Sequence, residues 1–532
     1  MNNMPILTLM IVIPLLGALA VMLIPEAQAK LAKWFALGVS LLVFVMMVAI
    51  ATQFKADSPD QFQFVDSFTW IKAFGVSFSL GVDGIALVLI ALSVILVPLV
   101  IIAGWNDADD NPHASVRGYF ALILALEACM IGVFAAIDVF LFYFIFEAML
   151  LPVYFLIGRY GGQNRQYASM KFLIYSLVGG LFMLASLIGL YVVAGKELGA
   201  GTFDFQTLTQ LHIDPGTQKL LFLGFFLAFA IKAPLVPFHT WLPDAAAAST
   251  PATAVLLVGV LDKVGTFGML RLCLPLFPEA SRYFAPLVIV LSVVGIIYGA
   301  LLAIGQTDLK RLIAYTSISH FGFIGLGIFA MTTQGQSGST FYMFNHGLST
   351  GALFLLAGFL MTRRGSNLIP SFGGINTVAP VLTGMFLIAG LSSMGLPGMS
   401  SFVSEFLVLA GAFAKYKVAA IIATTGIILA AIYILLMFQR MMTGPIKAGC
   451  EKVGEINKRE LVAIVPLVLL IIGLGFYPKP ALDVINPAVD RVLTKVGQVD
   501  PQPAIAGVTQ TPVEQPAVTS TAPATSASEG AL

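Results

Sequence analysis

Charge is scarce in this chain. Asp, Glu, Lys and Arg make up only 10% of its 532 residues, and the formal net charge is +1. Soluble domains carry about 25% charged residues, so a soluble fold is excluded. The near-zero balance argues against nucleic acid as a partner. Cysteine is almost absent. Cys129, Cys273 and Cys450 form no CxxC pair and no metal-ligand spacing, which leaves them as small buried apolar residues. There is no GxxxxGK[ST] loop, no dinucleotide fingerprint, and no iron–sulfur or c-type haem cysteine pattern. The chain therefore holds no nucleotide site and no redox centre of its own. Moving one charge against 100 mV costs about 2.3 kcal/mol. A chain without an energy source either exchanges ions downhill or is driven by partner subunits.

What the chain has in abundance is apolar length. Hydrophobic residues make up 58% of it, and they fall in runs of about 20, the length that spans a bilayer. The pattern predicts an all-α polytopic membrane protein with about fourteen transmembrane helices. Residues 1–116 hold three helices, 117–275 helices four to eight, and 284–440 helices nine to thirteen. A last helix and its end occupy 460–498. Residues 499–532, rich in Pro, Ala, Thr, Ser and Gln, read as a disordered tail. The first run, Met1 to Ile24, has no basic residue before it, so it reads as an uncleaved helix although Ala27-Gln-Ala29 resembles a cleavage site.

With the N-terminus outside, the inner loops hold fifteen of the 28 Lys and Arg residues and the outer segments eleven, Arg271 among them. Lys232 and Lys263 remain within helices. The asymmetry places both termini extracytoplasmic.

Helix seven carries a lysine and two prolines in Lys232-Ala-Pro234-Leu-Val-Pro237-Phe-His239-Thr-Trp-Leu-Pro-Asp244. A charge at the bilayer centre costs roughly 2.5–3.5 kcal/mol on insertion scales, so ion or proton transfer is the default reading. Helix twelve, about 380–414, is too long for one straight helix and contains Gly395-Leu-Pro397-Gly398. Pro234 and Pro397 lie 163 residues apart. Two broken helices in corresponding places suggest two inverted five-helix repeats around a midplane site.

Other ionisable residues share the apolar runs. Glu147 sits mid-helix in helix five. A Glu beside a Lys keeps both charged, and separating them lets the Lys release its proton; a static buried ion pair is the competing reading. Lys263 lies in helix eight, with Asp262 about 100° away on the helix surface. Glu405 follows the break in helix twelve; an interfacial carboxylate is the alternative there. His320 and His346 fall between Lys263 and Glu405 in chain order, which suits a relay because His titrates near neutrality. His239, beside Trp241, is either structural or an aid to proton entry. Asp83 reads as the cap of helix three; the role of Glu127, inside helix four, stays open.

These strings, with Lys263-Val-Gly-Thr-Phe-Gly and Lys310-Arg-Leu-Ile-Ala-Tyr-Thr-Ser-Ile-Ser-His320, resemble the antiporter-like subunits of respiratory complex I over about residues 80–480. The resemblance implies fourteen helices in two inverted repeats. It also implies a proton path through Glu147, Lys232, Lys263 and Glu405, which match the family's positions one by one. Glu405 stands where L- and N-type subunits generally carry Lys, which resembles the M type. Partners implied are the L- and N-type chains and the small membrane subunits. The FMN and iron–sulfur clusters are implied in partner subunits, none in this chain. A multi-chain cation/proton antiporter and a membrane-bound hydrogenase are the alternative assemblies.

Overall fold

In a bilayer only a helix satisfies every backbone N–H and C=O within its own segment, short of a closed barrel. The computed structural model describes residues 5–109 and 114–501. Among the described residues, twelve helices are long and apolar enough to cross a membrane. The chain opens with α1 (Ile6–Leu23), α2 (Ala29–Gln53), α3 (Gly84–Ala103) and α4 (Val116–Ala135). Next come α5 (Val139–Ala148) and α6 (Leu150–Tyr160), which share one span, then α7 (Arg165–Leu198) and the single turn α8 (Phe205–Leu208).

The break in helix seven separates α9 (Pro215–Lys232) from α10 (Trp241–Ala248). Helix eight is three α segments, α11 (Pro251–Leu256), α12 (Lys263–Gly268) and α13 (Leu274–Leu276), joined by wide π turns at Leu257–Leu261 and Met269–Cys273. Then follow α14 (Pro278–Ile304), α15 (Leu309–Ala330), α16 (Thr333–Arg364) and the turn α17 (Ile375–Val378). Helix twelve is broken into α18 (Pro380–Ser393) and α19 (Ser400–Lys415). The unit ends with α20 (Lys417–Met442), α21 (Lys458–Phe476) and α22 (Lys479–Val496). The expected tail lies outside the described residues from 502 on.

Helices seven and twelve, each split into pieces too short or too polar to cross alone, stand beside these twelve spans. Two expectations are corrected. The fold is not purely helical. Gln63–Ile71 (β1) and Val76–Val82 (β2) pair antiparallel, turned at Gly75, whose φ of 65° suits glycine. Arg271 does not lie in an outer loop. It is buried in helix eight, where it pairs at 2.5 Å with Asp83 Oδ1. Asp83 also caps α3 as expected, accepting from Ala86 N at 2.9 Å.

The loops gather on two faces. On one, Arg117 Nη1 donates to Met22 O and Ile24 O, both at 3.2 Å. There too Gly162 N bonds Ala248 O at 2.7 Å, and Leu309 N bonds Asn367 O at 2.9 Å. On the other, Arg491 Nη1 donates to Asp60 O at 3.0 Å, Lys415 Nζ to Met331 O at 2.8 Å, and Arg282 Nη1 to Val496 O at 2.8 Å.

Helix eight and α16 are the interior of the bundle: their most apolar windows are wholly buried, against 33% for α2, α20 and α21. These two buried helices carry polar side chains where the others carry lipid-facing Leu, Ile and Val. Along α16, Asn345, His346, Ser349 and Thr350 are all at most 1% exposed. The membrane-embedded polar groups therefore line up inside the protein.

Candidate proton relay

Glu147 is the penultimate residue of α5, just before the chain kinks at Met149. Its Oε1 is buried and has no hydrogen-bond partner. Across from it, α7 presents Gly180, and a Cβ there would overlap the Glu147 carboxyl. Glycine at this point makes the pocket for the acid. Because the clashing atoms are the far end of a flexible side chain, Gly180→Ala should displace the carboxyl rather than unfold the bundle. The expected outcome is an assembled protein whose coupled turnover is about tenfold lower, as for a misplaced reacting group. Unchanged turnover on native-gel-verified material would show that the position of Glu147 is immaterial.

Lys232 ends α9. Its Nζ is fully buried, has no hydrogen-bond partner, and lies 5.0 Å from the Phe146 ring centroid and 5.5 Å from that of Phe172. The carboxyls of Glu147 and Asp262 are both near enough to act on it electrostatically. The broken helix leaves carbonyls without intrahelical donors. Trp241 Nε1 donates to one of them, Ile231 O, at 2.9 Å, which ties α10 back across the break.

Lys263 starts α12, directly after the π turn. Wide turns of this kind occur often at functional sites because they displace backbone groups from the regular ladder. Here Val258 O accepts from Lys263 Nζ at 2.5 Å. The same Nζ lies 2.7 Å from His346 Nδ1. Asp262 does not pair with Lys263 by hydrogen bond; both its oxygens are buried without partners.

From His346 the polar groups continue. The His346 and His320 rings are 5.2 Å apart, edge to face. His320 is 5.7 Å from the Tyr342 ring, and its Nε2 lies 3.4 Å from Tyr433 Oη. Tyr342 Oη donates to Glu405 Oε1 in a short hydrogen bond. Glu405 is only 3% exposed, so the interfacial reading is overturned. Its carboxyl is housed as that of Glu147 is: Gly395, at φ 72°, has no room for a Cβ beside it.

The structure thus joins Lys263, His346, His320 and Glu405 in one chain of contacts and sets Glu147 and Lys232 together, with Asp262 between the two groups. His239 stands apart, packed against Tyr298 at 5.1 Å between ring centroids, with its Nδ1 unpartnered. Sequence reading passed over Tyr342, Tyr433 and Gly180, and took Gly395 only as part of the break in helix twelve. One signal was available: Tyr342 lies four residues before His346 and so shares its helix face.

Among the described residues no cluster of His, Cys, Asp and Glu could hold a metal ion. Residues 136–431 match the family described as NADH:quinone oxidoreductase/Mrp antiporter, and residues 8–133 match the amino terminus of NADH-ubiquinone oxidoreductase chain 4. NADH-quinone oxidoreductase subunit M of Mycobacterium tuberculosis is 51% identical over 95% of this chain and 97% of its own length. A chain of respiratory complex I from Thermus thermophilus matches with a TM-score of 0.84 at 29% identity, over 93% of this chain and all of that one. A chain of the Mrp complex from Dietzia shares the fold, with a TM-score of 0.81 at 21% identity over 93% of this chain and all of its own length.

Proposed function

Because this chain belongs to the subunit M family of NADH-quinone oxidoreductase, the antiporter-like membrane subunits of complex I, we propose that it moves protons through Glu147, Lys232, Lys263, His346, His320 and Glu405, driven by quinone reduction in partner subunits. The observation that supports this best is the unbroken series of contacts from Lys263 through two histidines and Tyr342 to Glu405, buried inside a membrane bundle. Every group in it can gain or lose a proton or pass one on, and the helices around it exclude lipid.

Charge movement follows from the pairing. With Lys232 protonated, the nearby carboxylates of Glu147 and Asp262 are stabilised. Drawing Glu147 away removes that compensation, and Lys232 releases its proton towards Asp262 and Lys263. His346, in contact with Lys263, passes the proton on through His320 to Glu405. His239 lies off this path and takes a positioning role at the break. The two broken helices, seven and twelve, support the repeat of helices four to eight in nine to thirteen.

Quinone and NADH chemistry, with FMN and iron–sulfur clusters, belongs to partner subunits; L- and N-type antiporter-like chains and small membrane subunits are the expected neighbours. The likeness to the Mrp complex keeps a cation/proton antiporter assembly as the second reading. Co-purification of a flavin- and iron–sulfur-containing complex supports the first, and its absence the second.

The face carrying Gly162, Asp308 and Arg363 is cytoplasmic in this reading, because the inner Lys and Arg clusters lie on it. Cysteines placed at Gly162 and at Ser520 should therefore label from opposite sides of the membrane. Labelling of both from one side would overturn the orientation or the helix count.

A further inference from the structure

A cavity outside the relay opens on the face of the 104–115 loop. It has a volume of about 580 Å³ and lies between the end of α3, the start of helix eight, α16 and α21. Asp107 lines it. Asp107 Oδ2 lies 3.4 Å from Tyr119 Oη, which lies 3.0 Å from Thr250 Oγ1, which in turn donates to Thr253 Oγ1 at 3.0 Å. The series starts at a water-accessible mouth and ends inside the first turn of helix eight, the helix that carries Lys263. On α16, Thr350 has a buried hydroxyl with no partner, one helical turn from His346.

We propose that Asp107 collects protons from this cavity and passes them through Tyr119, Thr250 and Thr253 to helix eight, supplying the relay from the cytoplasmic face. The assignment rests on the proton-translocation reading above. Each hydroxyl accepts a proton on one side as it gives up its own on the other, and the proton that leaves Thr253 is taken by a water molecule on the way to Thr350, so no hydroxyl carries charge between hops. Only O–H bonds form and break.

The surroundings of Asp107 suit a collector. Burial pushes its carboxyl up to about 6, against the pull of Thr250, Tyr119, Ala252 N–H and Arg459. An acid near neutrality exchanges protons fastest under working conditions. The other charges facing this region are largely engaged: Arg363 with Glu460, Lys33 with Asp109, and Lys310 Nζ with Ser249 O at 2.8 Å. Lys310 also acts on Asp107 through space. Asp107 is thus the carboxyl that meets both the cavity and the hydroxyl series.

The test uses the whole assembled complex in liposomes, supplied with NADH, with acidification and NADH oxidation followed across pH. Asp107→Asn and Tyr119→Phe should run near the unsubstituted rate at about pH 6 and fall about tenfold below it by about pH 8, where free hydronium no longer replaces the collector. Asp107→Glu should retain most of the activity. A loss of equal size at every pH would mark a structural role and overturn the assignment, as would no loss at all. Should Asp107→Asn fail to assemble, Tyr119→Phe decides, because it keeps the ring packing on Phe120 and Tyr160 and removes only the hydroxyl. Lys232→Met is measured beside them. If it is inactive while Tyr119→Phe is normal at all pH values, uptake lies elsewhere and the translocation reading stands. If Lys232→Met pumps normally, that reading falls first.

Discussion

Lys232→Met should stop proton pumping and coupled quinone reduction together while leaving the complex assembled. Methionine matches the length and volume of the lysine stem, so the packing against Phe146 and Phe172 is kept. What is lost is the cation on which Glu147 and Asp262 both act. Removing one partner of a buried pair is strongly destabilising when the other stays charged, by about 3–5 kcal/mol. Glu147 has a way out, since it is only partly buried and can remain neutral by keeping a proton. Assembly should therefore survive. Transfer should not, because no group remains at the break in helix seven to accept a proton and hand it on. Losing a positioned proton carrier typically costs about 10²–10⁴ in rate, so coupled NADH oxidation should fall by at least about a hundredfold. Native gels check assembly, and a pH-sensitive dye in liposomes checks pumping. Normal pumping would favour the static ion pair.

Glu405→Gln tests the other end. Gln keeps the size of Glu405 and can still accept the hydrogen bond from Tyr342, but it cannot lose a proton. Glu405 and Lys232 differ in charge at every stage: protonated Glu405 is neutral, whereas protonated Lys232 is a cation. The second half therefore handles the proton without ever burying a positive charge at this position. Glu405→Gln should lose transport by about a hundredfold. Glu405→Asp should keep part of it if the shorter side chain still reaches Tyr342. Tyr342→Phe should resemble Glu405→Gln, since it cuts the link from His320 to the carboxyl. Full pumping by Glu405→Gln would leave this residue a structural acid.

The sites most legible in the sequence were those that break a membrane rule. A lysine beside prolines, a carboxylate in an aromatic run and histidines inside apolar helices each carry an energetic cost that points to use. The structure then brings Lys263, His346, His320 and, through Tyr342, Glu405 into one series, with the two histidines in the reverse of their chain order. Tyr342 and Tyr433 were not legible, because a phenol in an apolar run reads as an ordinary core aromatic until its hydroxyl is seen to find a partner. Gly180 was hidden for a different reason. Membrane helices use glycine widely for close packing, so a glycine that instead makes room for an acid has no signature of its own.

The hairpin of β1 and β2 is too short to span and lies between two apolar runs, where a search for helix-length segments passes over it. The last helix, α22, was missed because it carries Lys479, Asp483, Asp490, Arg491 and Lys495 along 18 residues. Such a segment cannot cross a bilayer, but it can cover a protein face: it buries Ile485, Val489, Val492 and Val496 against the bundle and keeps its charges outward.

The measurement closest to the central claim is the proton-to-NADH ratio and rate of the assembled complex carrying Lys263→Met, reconstituted in liposomes. Lys263 is the group that meets both the helix-eight backbone and the first histidine. With it gone, the relay has no link between Lys232 and His346. Acidification should fall to about a hundredth of the unsubstituted rate, with NADH oxidation falling alongside it and returning no higher when an uncoupler collapses the gradient. Acidification at the normal rate and ratio would show that protons do not pass through this chain by the route its buried residues lay out.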